Sequence, residues 1–245
     1  PADHSCSITV LWSMFVISLG GSIVAPQDID VDLVVGYRRL FSQHLRQDDG
    51  RLIVVVGGGA PARTYQAAYR DVITAAGDGA ADPKAQDWIG ITATRLNAEL
   101  LRHSLGDLCS DPVVTDPTAD FPFTGRVLVG AGWKPGWSTD YDAVLLAERF
   151  GADTVVNLSN ISQVYTADPK LDPTATPLET VNWKDFLSIV GEDWKPGSNL
   201  PFDPVATAKA AELGLRVIAA NGRDLENTAK ILRGAAFFGT TIGPQ

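Results

Sequence analysis

Three apolar runs of strand type in this chain each end in a cluster of small residues and give way to a helical stretch. They are 15–19 into Gly20-Gly21-Ser22, 52–56 into Gly57-Gly58-Gly59, and 127–129 into Gly130-Ala131-Gly132. Unbroken Val/Ile/Leu runs suit strands buried on both faces, and strands alternating with helices build βαβ units around a mainly parallel sheet. Helices are expected at 31–46, where Leu33, Tyr37, Leu40, Phe41 and Leu45 recur at helical spacing, and at 61–76, 88–105, 139–150, 183–190, 203–213 and 225–233. Further strands fall at 154–158, 216–220 and around 240–242. Segments 75–84, 164–177 and 194–201 read as surface loops, and 111–124, with three prolines, as loop holding a short strand. No composition break separates the halves, so the expectation is one α/β domain of two lobes over 14–245, with helices on both faces of its sheet.

Glycine turns at strand ends have two readings. A single one is ordinary strand-to-helix chemistry. Three in one chain point to a phosphate-rich ligand, because glycine lets backbone N–H groups approach an anion and the helix end that follows favours negative charge. Composition narrows the ligand further. The chain carries 20 basic and 29 acidic residues, a formal net charge of −9, which argues against nucleic-acid and anionic-membrane partners. An anion would have to be met by a local positive site. The acids are 23 Asp to 6 Glu and the bases 13 Arg to 7 Lys; a salt-adapted protein and a moderately acidic cytoplasmic one both fit. The mostly apolar run 8–24 is too broken by Ser, Thr and Gly for a span of about 20 residues. Two cysteines, Cys6 and Cys109, make neither a disulfide framework nor a multi-cysteine zinc site, and a reducing cytoplasm is expected.

Met14 is the sole methionine, and Met-Phe-Val-Ile-Ser-Leu-Gly-Gly-Ser from it reads as a start directly on a strand. Residues 1–13 read as an N-terminal extension, a cloning remnant or upstream translation, without the basic segment of a secretion signal.

Several chemistries lack their residues. There is no G-x-x-x-x-G-K-[ST] loop, no G-x-S-x-G elbow and no H-E-x-x-H helix, and Gly130-x-Gly132-x-x-x-Gly136 misses the dinucleotide fingerprint by one residue. His4, His44 and His103 lie far from the glycine turns, which disfavours a Ser-His hydrolase or a zinc enzyme; no metal-ligating set is expected.

The ordered motifs resemble a family. Gly20-Gly21-Ser22, Gly57-Gly58-Gly59-x-x-x-Arg63, Ile89-Gly90-Ile91 with Thr94-Arg95-x-Asn97, Thr139-Asp140, Leu145-Leu146-Ala147-Glu148, Tyr165-Thr166-Ala167-Asp168-Pro169-Lys170, Asp203-Pro204 and Gly239-Thr240-Thr241-Ile242 look like the amino acid kinase superfamily. They are nearest to the archaeal type of uridylate (UMP) kinase, over 14–244. The resemblance implies a three-layer α/β/α sandwich with an N-terminal acceptor lobe and a C-terminal ATP lobe. It implies transfer of the γ-phosphoryl of ATP, carried with Mg²⁺, to UMP in a cytoplasmic homo-oligomer, hexameric in relatives. Gly21, Ser22, Gly59 and Arg63 would lie along the phosphates; Ser159, Asn160, Tyr165 and Asp168 would line the ATP base and ribose side. Gly58, Asp87 and the loop Trp133, Lys134, Pro135, Gly136, Trp137, Ser138 and Thr139 would meet UMP. Arg63 and Asp140 are the catalytic candidates, Asp140 organising phosphates and metal or holding a lysine or arginine. By residue type alone, Arg63 also reads as a solvated helix-face arginine and Asp140 as a helix cap.

The chain departs from the family in three places. Bacterial relatives carry a lysine where Ser18 stands; their Val-Asp-Gly is here Ile161-Ser162-Gln163; and Trp133, Lys134 and Trp137 replace small or histidine residues. Trp194-Lys195-Pro196-Gly197 repeats Trp133-Lys134-Pro135-Gly136. Either both loops face the cleft, with indoles stacking on a base and a lysine on phosphate, or they are two similar surface turns. The departures keep two rivals open, a kinase of this fold for another small acid or phosphate acceptor and a non-catalytic nucleotide or oxyanion binder.

Overall fold

The computed structural model describes residues 14–191 and 201–244. Its strands of unbroken aliphatic residues lie side by side in the centre. β1 (Met14–Leu19) pairs in parallel with β2 (Arg51–Val56) on one side and β4 (Thr154–Ser159) on the other. β3 (Val127–Gly130) extends the sheet beyond β2, and β8 (Arg216–Asn221) beyond β4. β9 (Thr240–Ile242) runs antiparallel to β8 and carries the two-residue β7 (Thr180–Val181) at the edge, giving the order β3-β2-β1-β4-β8-β9-β7. Chain order reverses between β1 and β4, and at such a switch point the strand ends open a crevice.

The period of two in each strand divides the core. Ile17, Leu19, Leu52, Val54 and Val56 face one side and pack with Tyr37, Phe41, Leu101 and Ile231. Those partners come from α2 (Val31–Gln47), α4 (Pro83–Leu105) and α8 (Leu225–Leu232). Val16, Ile53 and Val55 face the other side, with Val144, Leu146, Phe186 and Ala206 from α5 (Thr139–Phe150), α6 (Trp183–Val190) and α7 (Pro204–Glu212). The result is the three-layer α/β/α sandwich. Cys109 is a free thiol in the first of these cores.

Several elements differ from the sequence expectation. α4 begins at Pro83, five residues before the expected start, because Asp82 caps it by accepting the Lys84 N–H at 3.0 Å and Pro83 suits a first turn. α1 (Gly21–Val24) is a single turn inside the expected glycine turn, and α3 (Gly59–Ala76) starts on its third glycine. Segment 164–177 is not wholly loop: β5 (Val164–Tyr165) pairs antiparallel with β6 (Pro177–Leu178). The expected strand within 111–124 reduces to one bridge, Val114 to Gly130. Asp111 shapes that segment by accepting the Thr124 and Gly125 N–H groups at 2.7 and 2.9 Å.

Tyr37 ties α2 to the far side of the sheet. Its hydroxyl donates to the Gly222 carbonyl at 2.5 Å, just after β8, and burial raises its pKa. Tyr37→Phe leaves that buried carbonyl without a donor, and the expected loss is about 1 kcal/mol in urea unfolding, with an unchanged m-value.

Candidate active site

The carboxyl ends of β1 and β2 meet backbone to backbone. The Gly57 N–H donates to Leu19 O at 2.9 Å and the Gly20 N–H to Leu158 O at 2.8 Å. A methyl group on Gly21 would fall on the Gly59 nitrogen and within 2.6 Å of Gly57 C and Gly58 N. Gly59 has φ +64°, and a side chain there would also lie 2.6 Å from Ala25 O. Only glycine permits this contact.

α4 braces the turns from one side. Asn97 Nδ2 donates to Gly57 O at 2.9 Å and Gly58 O at 3.1 Å. Thr94 Oγ1 accepts the Gly132 N–H at 2.8 Å, and Arg95 donates to Trp133 O at 3.1 Å. The motif Thr94-Arg95-x-Asn97 therefore holds the glycine turns of β2 and β3.

A cleft of about 600 Å³ opens above these turns. Of the residues singled out in the sequence, Gly21, Ser22, Gly58, Gly59, Arg63, Asp87, Trp137, Ser138, Thr139 and Asn160 line it. Gln66, Gly90, Ile91 and Thr94 line it as well, the first of them invisible to sequence reasoning because nothing but position on α3 marks it. Asn160 Nδ2 donates to Ser22 Oγ at 3.0 Å across the switch point. Tyr165 and Asp168 line a second cavity of about 360 Å³ with Ile161, Gln163, Lys170 and Ile189. Ser159 lines neither; its hydroxyl accepts the Ile161 N–H at 3.2 Å. Arg63 is exposed at the cleft and donates to Pro26 O at 3.2 Å.

Helix capping separates the cleft from the rest of the molecule. α2, α4, α5, α6, α7 and α8 each have a side chain accepting a first-turn N–H, from Asp30, Asp82, Ser138, Asn182, Asp203 and Asp224. α1 and α3, which start at the glycine turns, have none. Ile23 and Ala60 donate to Gly20 O and Ala25 O at 2.9 and 2.8 Å, and Pro61 has no N–H. It is therefore the N–H groups of Gly21, Ser22 and Gly59 that these uncapped ends leave for an anion.

The loop 133–139 is built differently from the expectation of indoles free to stack on a base. Trp137 stacks on Tyr141 with centroids 4.2 Å apart and lies 6.3 Å from Trp133. Lys134 Nζ sits 3.6 Å over the Trp133 ring, so the loop lysine is spent on an aromatic face. Trp133, Lys134, Pro135 and Gly136 line neither cavity. Gly136 is tied in by its N–H, which donates to Asp87 at 3.0 Å. The repeat at 194–197 lies outside the described residues.

Beneath the cleft, Asp140 is buried, and the capping role at α5 belongs to Ser138, whose hydroxyl accepts the Tyr141 N–H at 3.2 Å. Among the described residues, Asp140 holds neither lysine nor arginine. It accepts from Ser18 Oγ at 2.6 Å and from the Asp203 N–H at 3.3 Å, joining β1, α5 and α7. Burial, with the Asp203 charge beside it, pushes its pKa up to about 6 against the Ser18 hydrogen bond. Asp142 goes further, to about 8: burial dominates, the Trp133 N–H opposes it at 3.1 Å, and Asp140 and Asp116 add repulsion. Asp203 is raised by burial too. Among the described residues, Asp142 Oδ1 and Asp203 Oδ2 are buried without a hydrogen-bond partner, which disfavours their charged forms. Among the described residues no group of three or more His, Cys, Asp or Glu is placed to hold a metal ion.

A parallel sheet opening through glycine turns onto uncapped helix ends is the arrangement with which α/β proteins hold phosphorylated ligands. The amino acid kinase family model matches residues 13–221, and the chain belongs to that family. It is 38% identical over 230 residues to the uridylate kinase of Methanospirillum hungatei, covering 93% of each chain. The uridylate kinase of Pyrococcus abyssi is 32% identical over 94% of this chain and 99% of its own. The crystal structure of uridylate kinase from Archaeoglobus fulgidus matches with a TM-score of 0.77 and 32% identity, over 94% of this chain and 99% of that one.

Asp140 and Asp142 both titrate above the ordinary carboxylate value, so the folded chain holds protons that the unfolded chain releases from about pH 4. Their contribution is complete below that pH and is lost as pH rises through 6 and then 8. Each proton retained gives a slope of about 1.4 kcal/mol per pH unit. Asp142→Asn keeps an acceptor for Trp133 and is expected to flatten the fall above pH 6, measured by thermal unfolding across that range.

Proposed function

We propose that this chain transfers the γ-phosphoryl group of MgATP to UMP, giving UDP and ADP. The carrying observation is the pair of uncapped helix ends, α1 and α3, set side by side at the glycine turns. The uridylate kinase names of its relatives point to the same chemistry. In this reading the amino-terminal part forms the acceptor lobe and the carboxyl-terminal part the ATP lobe. The ATP phosphates run along Gly21, Ser22, Gly59 and Arg63, with the nucleoside toward Ser159, Asn160, Tyr165 and Asp168. UMP takes Gly58, Asp87 and the loop 133–139, of which Trp137, Ser138 and Thr139 line the cleft.

The step needs two anions held in line: a UMP phosphate oxygen forms a bond to the γ-phosphorus as the bond to the ADP oxygen breaks. The backbone N–H groups of the glycine turns and Arg63 neutralise charge as it shifts between those oxygens. Mg²⁺ would arrive with the nucleotide and supply neutralising charge at its phosphates. Asp140 acts from below, anchoring β1 and the start of α7 through Ser18 and the Asp203 amide. A homo-oligomer, hexameric by resemblance, belongs to the same proposal. It is supported by α3, which buries none of its 18 residues, and by exposed Tyr65, Val72, Leu96 and Leu100 on α3 and α4. No helix among the described residues is long and apolar enough to cross a membrane, which accords with a cytoplasmic enzyme.

ADP release from MgATP is expected with UMP and not with AMP or GMP. Arg63→Ala is expected to lower kcat by about 10²-fold or more, and Asp140→Ala to lower it too. No turnover with UMP, CMP, dUMP, AMP or GMP, despite saturable ATP binding, overturns the reading. In light scattering the wild type is expected as an oligomer, and the double variant Val72→Asp, Leu96→Asp as a smaller species; a monomeric wild type refutes the assembly.

A further inference from the structure

The cavity that holds Tyr165 and Asp168 contains a side chain that the glycine of the family's Val-Asp-Gly would lack. Gln163 is 8% exposed, lines the cavity, and directly precedes β5. One hydrogen bond holds its side-chain amide and a second holds the backbone beside it. Nε2 donates to Gly239 O at 3.2 Å, and the next residue's N–H donates to Thr240 Oγ1 at 2.8 Å. Gly239 cannot yield, since its Cα already lies against the β8 backbone: a methyl group there would come within 2.7 Å of Ala219 O.

A backbone carbonyl only accepts, so the NH₂ of Gln163 must face Gly239 and its Oε1 must face away. That oxygen accepts no hydrogen bond from the described residues, and it is not among the sealed, unpartnered polar atoms of the interior. It opens into the cavity. The surrounding wall is largely apolar: Ile161, Ala167, Pro169, Ile189, Pro201 and the Tyr165 ring. Ser162, Asp168 and Lys170 are the other polar residues on it. A planar base fits such a slot, and an acceptor oriented by its own hydrogen bond discriminates by what the base presents to it.

We infer that Gln163 selects the donor nucleotide by accepting a hydrogen bond from the 6-amino group of its purine. This rests on the kinase reading for the assignment of the cavity to the ATP base. A 6-amino group is a donor and satisfies Oε1; a 6-oxo group is a second acceptor and leaves two oxygens facing each other away from water. The pinned amide cannot flip to offer its NH₂ without breaking the Gly239 bond. Gln163 is thus a specificity residue for the donor base.

Calorimetric titration of the full chain with ADP and with inosine diphosphate, which differ at C6, tests it without requiring turnover. ADP is expected to bind about tenfold or more tightly, with purine riboside diphosphate, which has no C6 substituent, in between. Gln163→Leu is expected to bring the ADP/IDP ratio within about threefold. A wild-type ratio near one overturns the inference, as does a ratio preserved in a Gln163→Leu protein that melts cooperatively. If that variant does not fold, the wild-type series decides. UMP turnover without base selectivity refutes the inference alone; base-selective ADP binding without UMP turnover refutes the acceptor assignment alone.

Discussion

The rest of the molecule is arranged around one contact between two turns that have no side chains. Gly21 and the Gly57–Gly59 turn approach so closely that a single methyl group would collide with backbone. Parallel pairing brings β1 and β2 to that point in register, Leu19 opposite Val56. Asn97 then takes the two carbonyls that the β2 turn leaves unpaired by the sheet. Gly59 uses its positive φ to turn the chain into α3, whose second residue donates to Ala25 O at 2.8 Å. The floor of the cleft is therefore peptide backbone, stiff and rich in N–H groups, which no substitution short of a glycine replacement can re-aim.

Charge is handled from the opposite layer. Ser18 faces α5 because it alternates with Ile17 and Leu19, which face α2 and α4. In place of a cation, it offers a hydroxyl to Asp140, and the neighbouring Asp142 and Asp203 carry oxygens with no partner. With no lysine or arginine beside them among the described residues, these acids hold their protons to higher pH than ordinary carboxyls, and burial rather than any partner dominates each shift. The cleft thus rests on a floor of hydrogen-bonding backbone and a foundation of buried carboxyls whose pKa values are raised.

Much of this was legible in the sequence. Long aliphatic runs and helical spacing gave β1, β2, β4 and α2 within a residue or two, and the glycine turns fall where the cleft opens. The misses have physical causes. β5, β6 and β7 have two residues each and exist only through partners remote in sequence. The early start of α4 did have a local signal, Asp82-Pro83, a cap followed by a first-turn proline. In the cleft, residue types announced themselves but orientation did not. Asp140 looks like a cap or a cation holder until Ser138 takes the first role and Ser18 fills the second place. The aromatic stack could have been read from Trp133, Trp137 and Tyr141 at intervals of four, a helical spacing that begins before the helix itself does.

That stack has a spectroscopic consequence. Trp137 alone among the described tryptophans borders the cleft, and its indole is in face contact with Tyr141 and near a lysine ammonium. Emission from an indole so placed responds to small changes in ring overlap and in the nearby charge. A ligand settling against Ser138 and Thr139 displaces water at its edge, so the protein carries a built-in optical reporter at the wall of its own cleft.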